Sequence, residues 1–168
     1  NKKETKIWKL YDRAKTPFDW HEDAFKLANS IGAKLFSTPF SIRAVDLLEK
    51  FKVKLYKISS FEITDYLLID RVAKTKKPVI VSTGMASINE IKNCIKIIKK
   101  YHNKIILLHC VSGYPTSIQQ ANLRRIETLK NIFPNYNIGL SDHTNDIVTS
   151  LVAIARGASV IEKHFKIS

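Results

Sequence analysis

The chain has 168 residues, 45% of them apolar and 26% charged, with a formal net charge of +13. That composition suits one globular domain with a sizeable core, and no apolar run nears the roughly 18 residues that cross a bilayer as a helix. The excess Lys and Arg are dispersed over several segments without a basic arm, which favours a solvated lysine-rich surface or steering of small anions over nucleic-acid binding.

Up to residue 33 the sequence reads as a polar lead-in followed by one helix, Trp20 to Ile31. Asp19 and Glu22 have capping-box spacing at its start, and Gly32 stands where a left-handed C-cap ends a helix. The charged opening Asn1-Lys2-Lys3-Glu4 does not read as a secretory signal. Six short β-rich runs follow: Lys34 to Ser37, Lys54 to Ile58, Pro78 to Ser82, Lys104 to His109, Asn137 to Ser141 and Ser159 to His164. Helical patterns separate them. In the clearest, Ile88, Ile91, Cys94, Ile95 and Ile98 fall on one stripe, and Ser87 with Glu90 forms a capping box at its start. Cys94 and Cys110 lack metal-ligand spacing, so a reducing, cytoplasmic setting is expected.

Strands alternating with helices predict parallel pairing, and runs such as Ile105-Ile106-Leu107-Leu108 predict burial on both faces. An open doubly wound sheet and a closed barrel both satisfy that pattern. Polar residues finish every run: Ser37-Thr38, Lys57 with Ser59-Ser60, Ser82-Thr83, His109, Ser141-Asp142-His143 and Glu162-Lys163-His164. A barrel gathers all its strand ends at one mouth, whereas an open sheet uses only those beside its switch point. The fold expected is therefore a (β/α)8 TIM barrel with about six of its eight units present.

His143 and His164 end adjacent runs, and neighbouring strands lie about 5 Å apart, so the pair can share a divalent ion or hydrogen-bond locally. His109 reads as a partly buried strand residue, and His21 as a surface or helix-end one. Lys57 lies within an apolar run, where a lysine can form a Schiff base, hold an anion as a point charge, or snorkel to solvent. Ser37, Thr38, Ser60, Ser82 and Thr83 supply short hydroxyls for an oxyanion, and Ser82-Thr83-Gly84 is a weak phosphate-loop pattern. Nucleotide-binding and serine-hydrolase motifs are absent from the sequence.

In order along the chain stand Phe36-Ser-Thr-Pro-Phe40, Tyr56-Lys-Ile-Ser-Ser-Phe-Glu62, Ser82-Thr-Gly-Met85, His109-Cys-Val-Ser-Gly-Tyr-Pro-Thr116, Gly139-Leu-Ser-Asp-His-Thr144 and Ile161-Glu-Lys-His-Phe165. Together they resemble the third to eighth barrel strands of the sialic-acid synthase (NeuB) family. Ile7-Trp-Lys-Leu-Tyr11 and Ala14-Lys-Thr-Pro-Phe-Asp-Trp-His21 resemble its pseudaminic acid branch. The resemblance implies a transferase that condenses phosphoenolpyruvate with an acetamido-sugar aldehyde, using manganese or magnesium. It implies His143 and His164 as metal ligands and catalytic residues. Thr38, Lys57, Ser60, Ser82, Ser112 and Ser141 are implied as phosphoenolpyruvate contacts, with Ser112 at a position that is Asn in some relatives. Glu62 and Tyr114 are implied on the sugar side, Glu62 as a candidate for catalytic proton transfer. For Lys57 the resemblance argues for a charge clamp and against a Schiff base. It further implies that two strands precede residue 1, that an antifreeze-like domain follows residue 168, and that the full-length protein is a homodimer. N-acetylneuraminate or legionaminate synthesis, and a fragment that only binds metal or anions, are the alternatives.

Overall fold

Residues of alternate parity along each strand carry different chemistry, and the architecture follows from that division. The computed structural model describes residues 2–165. The ends of the expected 1–168 domain, and the side chains of Ile7 and Trp8, lie outside the described residues. Three helices, α1 (Lys2–Ala14), α2 (Trp20–Ser30) and α3 (Ile42–Lys50), precede the first strand. Then strands β1 (Tyr56–Ile58), β2 (Val79–Ser82), β3 (Ile105–Cys110), β4 (Asn137–Asp142) and β5 (Ile161–Lys163) alternate with helices α4 (Tyr66–Ala73), α5 (Ile88–Lys99), α6 (Arg124–Ile132) and α7 (Val148–Ala155). The five strands are parallel and lie side by side in chain order. A doubly wound sheet reverses its order at a switch point; this one winds in a single sense.

One face of the sheet is apolar. Tyr56, Ile58, Val79, Val81, Ile105, Leu107, Ile138 and Leu140 pack with helix residues such as Leu68, Val72, Ile91, Ile98, Ile126 and Leu129 into one core. The residues between them in sequence point the other way, and register sets Cys110, Ser141 and Glu162 in one row across β3, β4 and β5. In a flat sheet the outer strands, four spacings apart, would be about 19 Å from each other. Yet Lys57 Nζ on β1 lies 3.4 Å from the Glu162 carboxylate on β5. The sheet is therefore strongly curled, and its polar row lines the concave side.

Several local expectations hold. The α5 stripe is buried at Ile91, Cys94, Ile95 and Ile98, and its Ser87–Glu90 capping box forms. Gly32 has φ +72°, and the amides of Gly32 and Ala33 return to the carbonyls of Asn29 and Ala28, closing α2 with a left-handed turn.

Others are corrected. The polar lead-in, to which no element was assigned, forms the helix α1. Asp19 has helical backbone (φ −66°, ψ −27°) and makes no side-chain cap. A cap needs extended backbone there; instead the amides of Trp20 and His21 are taken by the carbonyls of Pro17 and Phe18, and Glu22 pairs with Lys26. The run Lys34 to Ser37 forms no strand, because among the described residues β1 pairs only with β2 and this run has no ladder partner. His21 does stand at a helix end, the start of α2, but is buried and stacked on Phe51 rather than at the surface.

At Gly139 the backbone of β4 passes very close to the chain entering β5. A Cβ there would meet the Val160 carbonyl oxygen and lie 2.7 Å from Leu108 Cδ2. Because the first obstacle is backbone, Gly139→Ala is expected to lower stability by about 3 kcal/mol in urea unfolding. An unchanged midpoint would show that the strands separate more easily than this packing implies.

Candidate functional site at the strand ends

Lys57 points into the concave face from the middle of β1, its side chain only 6% exposed. An isolated ammonium at that depth is costly, and two partners offset the cost. Its Nζ donates to Ser82 Oγ at 2.8 Å and faces Glu162 Oε2 at 3.4 Å. The other Glu162 oxygen accepts from Ser141 Oγ at 2.6 Å. A polar line Ser82–Lys57–Glu162–Ser141 thus joins β2, β1, β5 and β4.

At the end of β2 the chain passes very close to two more hydroxyls. Gly84 donates its amide to Ser60 Oγ at 3.1 Å, and a Cβ on it would lie 2.9 Å from the Oγ atoms of both Ser60 and Ser112. Glycine is what allows that approach.

His143 follows β4. One ring nitrogen, Nδ1, lies 2.7 Å from the Val111 carbonyl and must donate to it, since a carbonyl only accepts. In the neutral ring Nε2 then keeps its lone pair. Nε2 stands 3.4 Å from Ser141 Oγ, whose proton is committed to Glu162. The His164 ring lies 5.3 Å from the His143 ring, inclined at 52°. Tyr114 packs against both, at 4.1 Å and 5.6 Å between ring centroids.

These groups share one cavity of about 310 Å³. Thr38, Lys57, Ser60, Ser82, Ser112, Tyr114, Ser141, His143 and His164 all line it. Glu62 does not. It closes the 3₁₀ turn Ser60–Glu62, where its carboxylate accepts from the Ser59 hydroxyl. His109 is buried on the helix side of β3 and donates Nε2–H to the Ala121 carbonyl at 2.8 Å; burial holds its pKa below the usual imidazole value. A larger space of about 500 Å³ lies between α2 and α3, but it shares only Thr38 and Phe40 with the cavity.

Glu162 also lines the cavity, though the sequence placed it only among the polar residues ending its run and gave it no role. The signal was present: it alternates with Ile161 and Lys163, so it must share a face with Ser141 once β5 pairs in register. Among the described residues no group of three or more His, Cys, Asp or Glu is arranged around a metal-sized point. The two imidazoles could supply two ligands to a cation, and the hydrogen bond to Val111 holds His143 in the tautomer whose Nε2 is open to one. Chemically, the site offers a buried cation and several hydroxyls to a small anion, beside two imidazoles.

A sequence model of the NeuB family matches residues 1–168. The pseudaminic acid synthase of Helicobacter pylori is 44% identical over 95% of this chain and 47% of its own length. The N,N'-diacetyllegionaminic acid synthase of Campylobacter jejuni is 40% identical over 86% of this chain and 44% of its own. Among solved structures, the N-acetylneuraminic acid synthetase of Leptospira borgpetersenii, crystallised with citrate, aligns with a TM-score of 0.90 at 35% identity, over 95% of this chain and 56% of that one. The chain spans about half the length of the curated relatives it matches. With every residue covered by the family pattern and a fold shared with a sialic acid synthetase, the chain belongs to the NeuB family.

Proposed function

We propose that this chain carries the phosphoenolpyruvate-binding side of a synthase that makes a nine-carbon 2-keto sugar acid, with pseudaminic acid as the product. One observation carries the reading: the line Ser82–Lys57–Glu162–Ser141 shares a cavity with His143 and His164. The single winding and strong curl support the five strands being consecutive members of a (β/α)8 barrel.

In the proposed reaction, carbon 3 of phosphoenolpyruvate bonds to the aldehyde carbon of an open-chain acetamido sugar, whose oxygen takes up a proton to become a hydroxyl. Water adds at carbon 2, and the carbon 2–oxygen bond to phosphate breaks, releasing phosphate and leaving the ketone. Lys57 clamps an anionic group of phosphoenolpyruvate as a point charge. Its hydrogen bond to Ser82 and the facing Glu162 carboxylate support a charge clamp rather than a Schiff base. Hydroxyls of Thr38, Ser60, Ser82, Ser112 and Ser141 complete the anion cradle. A divalent cation, manganese or magnesium, supplies Lewis-acid polarisation of the aldehyde oxygen when bound, and His143 and His164 are the residues that would hold it. The ring of Tyr114 walls the sugar side, and proton transfer there is assigned to Glu62, on the turn after β1, whose carboxylate leaves the Ser59 hydroxyl to reach the cavity. We place the full-length protein in a homodimer by its family, and in a reducing compartment by its two free cysteines, Cys94 and Cys110.

Phosphate release from phosphoenolpyruvate by the full-length protein with manganese tests this reading. The diacetamido-trideoxy-altrose and N-acetylmannosamine are offered separately, and release is expected with the altrose sugar alone. Legionaminate synthesis is the second reading, because its synthase is nearly as similar, 40% against 44%; preference for a mannose-configured sugar would establish it. Release with neither sugar would overturn the assigned chemistry.

A further inference from the structure

We infer that Asp142 and Lys163 are positioning residues that set the separation of the two imidazoles, an inference that rests on the metal-ligand reading above. Each directly precedes one of the histidines, and register makes the two direct partners across β4 and β5. Their side chains leave the sheet on the helix side, opposite the cavity, and meet there: Lys163 Nζ donates to Asp142 Oδ2 at 2.8 Å. The same ammonium donates to the Thr144 carbonyl at 2.9 Å. Lys163 therefore grips the chain immediately before and immediately after His143.

The carboxylate is fully engaged. Oδ1 accepts from the Thr144 amide at 2.9 Å and its hydroxyl at 2.8 Å, folding the chain tightly around His143. Oδ2 also accepts from Ser150 Oγ on α7 at 2.6 Å. The Asp142 side chain is 1% exposed and that of Lys163 31%. A pair of apolar side chains would fill this place between sheet and helix without the desolvation cost of two charges. What such a pair lacks is direction: of the five directed hydrogen bonds here, two from Lys163 tie the His143 turn to β5, two shape the turn itself and one anchors it to α7.

The two histidines depend on this clamp unequally. His143 has further anchors, its carbonyl accepting from the Thr116 amide at 2.9 Å and its ring donating to Val111. The His164 ring rests on aromatic contacts with Tyr114 and His143. Its backbone is set one residue earlier, by Lys163. Loosening the bridge lets β5 move relative to β4, and the imidazole separation moves with it.

The test uses the full-length protein and Mn²⁺ alone, followed by the electron paramagnetic resonance of the free ion. Lys163→Met keeps the side-chain length and is expected to weaken Mn²⁺ binding at least tenfold, while Lys163→Arg restores part of the loss. Lys163→Met combined with Asp142→Leu removes both charges, so no buried carboxylate is orphaned. Its thermal midpoint in EDTA is expected near wild type and its Mn²⁺ affinity still low, a separation that a merely structural bridge would not produce. Wild-type Mn²⁺ affinity in folded Lys163→Met would overturn the positioning role alone. Absence of Mn²⁺ binding in the wild type, matched by His143→Ala, would overturn the ligand reading and this inference together.

Discussion

His143→Ala is expected to abolish tight manganese binding and to reduce turnover by the full-length protein on the order of a thousandfold. Lewis-acid polarisation of a carbonyl is worth several kcal/mol in the transition state, and about 4 kcal/mol corresponds to three powers of ten in rate. The structural losses are smaller. The Val111 carbonyl loses its donor and Tyr114 loses a ring neighbour at 4.1 Å, each worth about 1 kcal/mol of stability. Loss of activity should therefore far exceed loss of folded protein, which circular dichroism at the assay temperature checks. A variant that turns over within tenfold of wild type would remove His143 from the chemistry.

Lys57→Met should show itself in a different constant. Methionine keeps the length of the stem and deletes the charge, so the cradle loses the cation that faces Ser82 and Glu162. Removing one member of a hydrogen-bonded charge contact costs about 2–5 kcal/mol. The expected result is a fall of roughly 10²-fold to 10³-fold in kcat/KM for phosphoenolpyruvate, with the KM for the sugar little changed. Stability should change little, because the Glu162 side chain left behind is 40% exposed and can be hydrated. Lys57→Arg should not rescue, since the guanidinium fork is too broad for a slot cut for a point charge. An unaltered KM for phosphoenolpyruvate would place the anion elsewhere.

How far the sequence foretold this site depends on which interactions are local. The polar ends of the apolar runs pointed to one mouth, and Lys57, Ser82, Ser141, His143 and His164 do meet in one cavity. Burial made that legible: a lysine or serine inside a buried strand needs a partner, and a curled sheet supplies one. Lys34 to Ser37 looked like a strand because apolar patterning records burial and propensity, whereas a strand also requires a neighbouring ladder, which no short window shows. For Glu62 the turn Ser60–Glu62 sets the resting position, since three residues in a tight coil bring its carboxylate to Ser59 rather than into the cavity lining. Glu162 and the Asp142–Lys163 bridge depend on the register of β4 against β5, a long-range fact that becomes readable only when the strands are paired.

Spatial order along the sheet repeats chain order, which has a consequence for the protein during its synthesis. Each new strand leaving the ribosome finds the edge it must join already built, so loop closure stays short and the apolar face can zip up from β1 onwards. The chemistry cannot assemble in that stepwise way. Lys57 is delivered with β1, but its carboxylate partner Glu162 arrives four strands later with β5, and His164 follows it. A nascent chain ending before β5 thus holds the apolar packing of β1 to β4 beside a half-built site, with one imidazole and an ammonium that has Ser82 but lacks Glu162. Among the described residues the cavity is complete only when β1 and β5 are brought face to face, so the same act that curls the sheet also assembles the site.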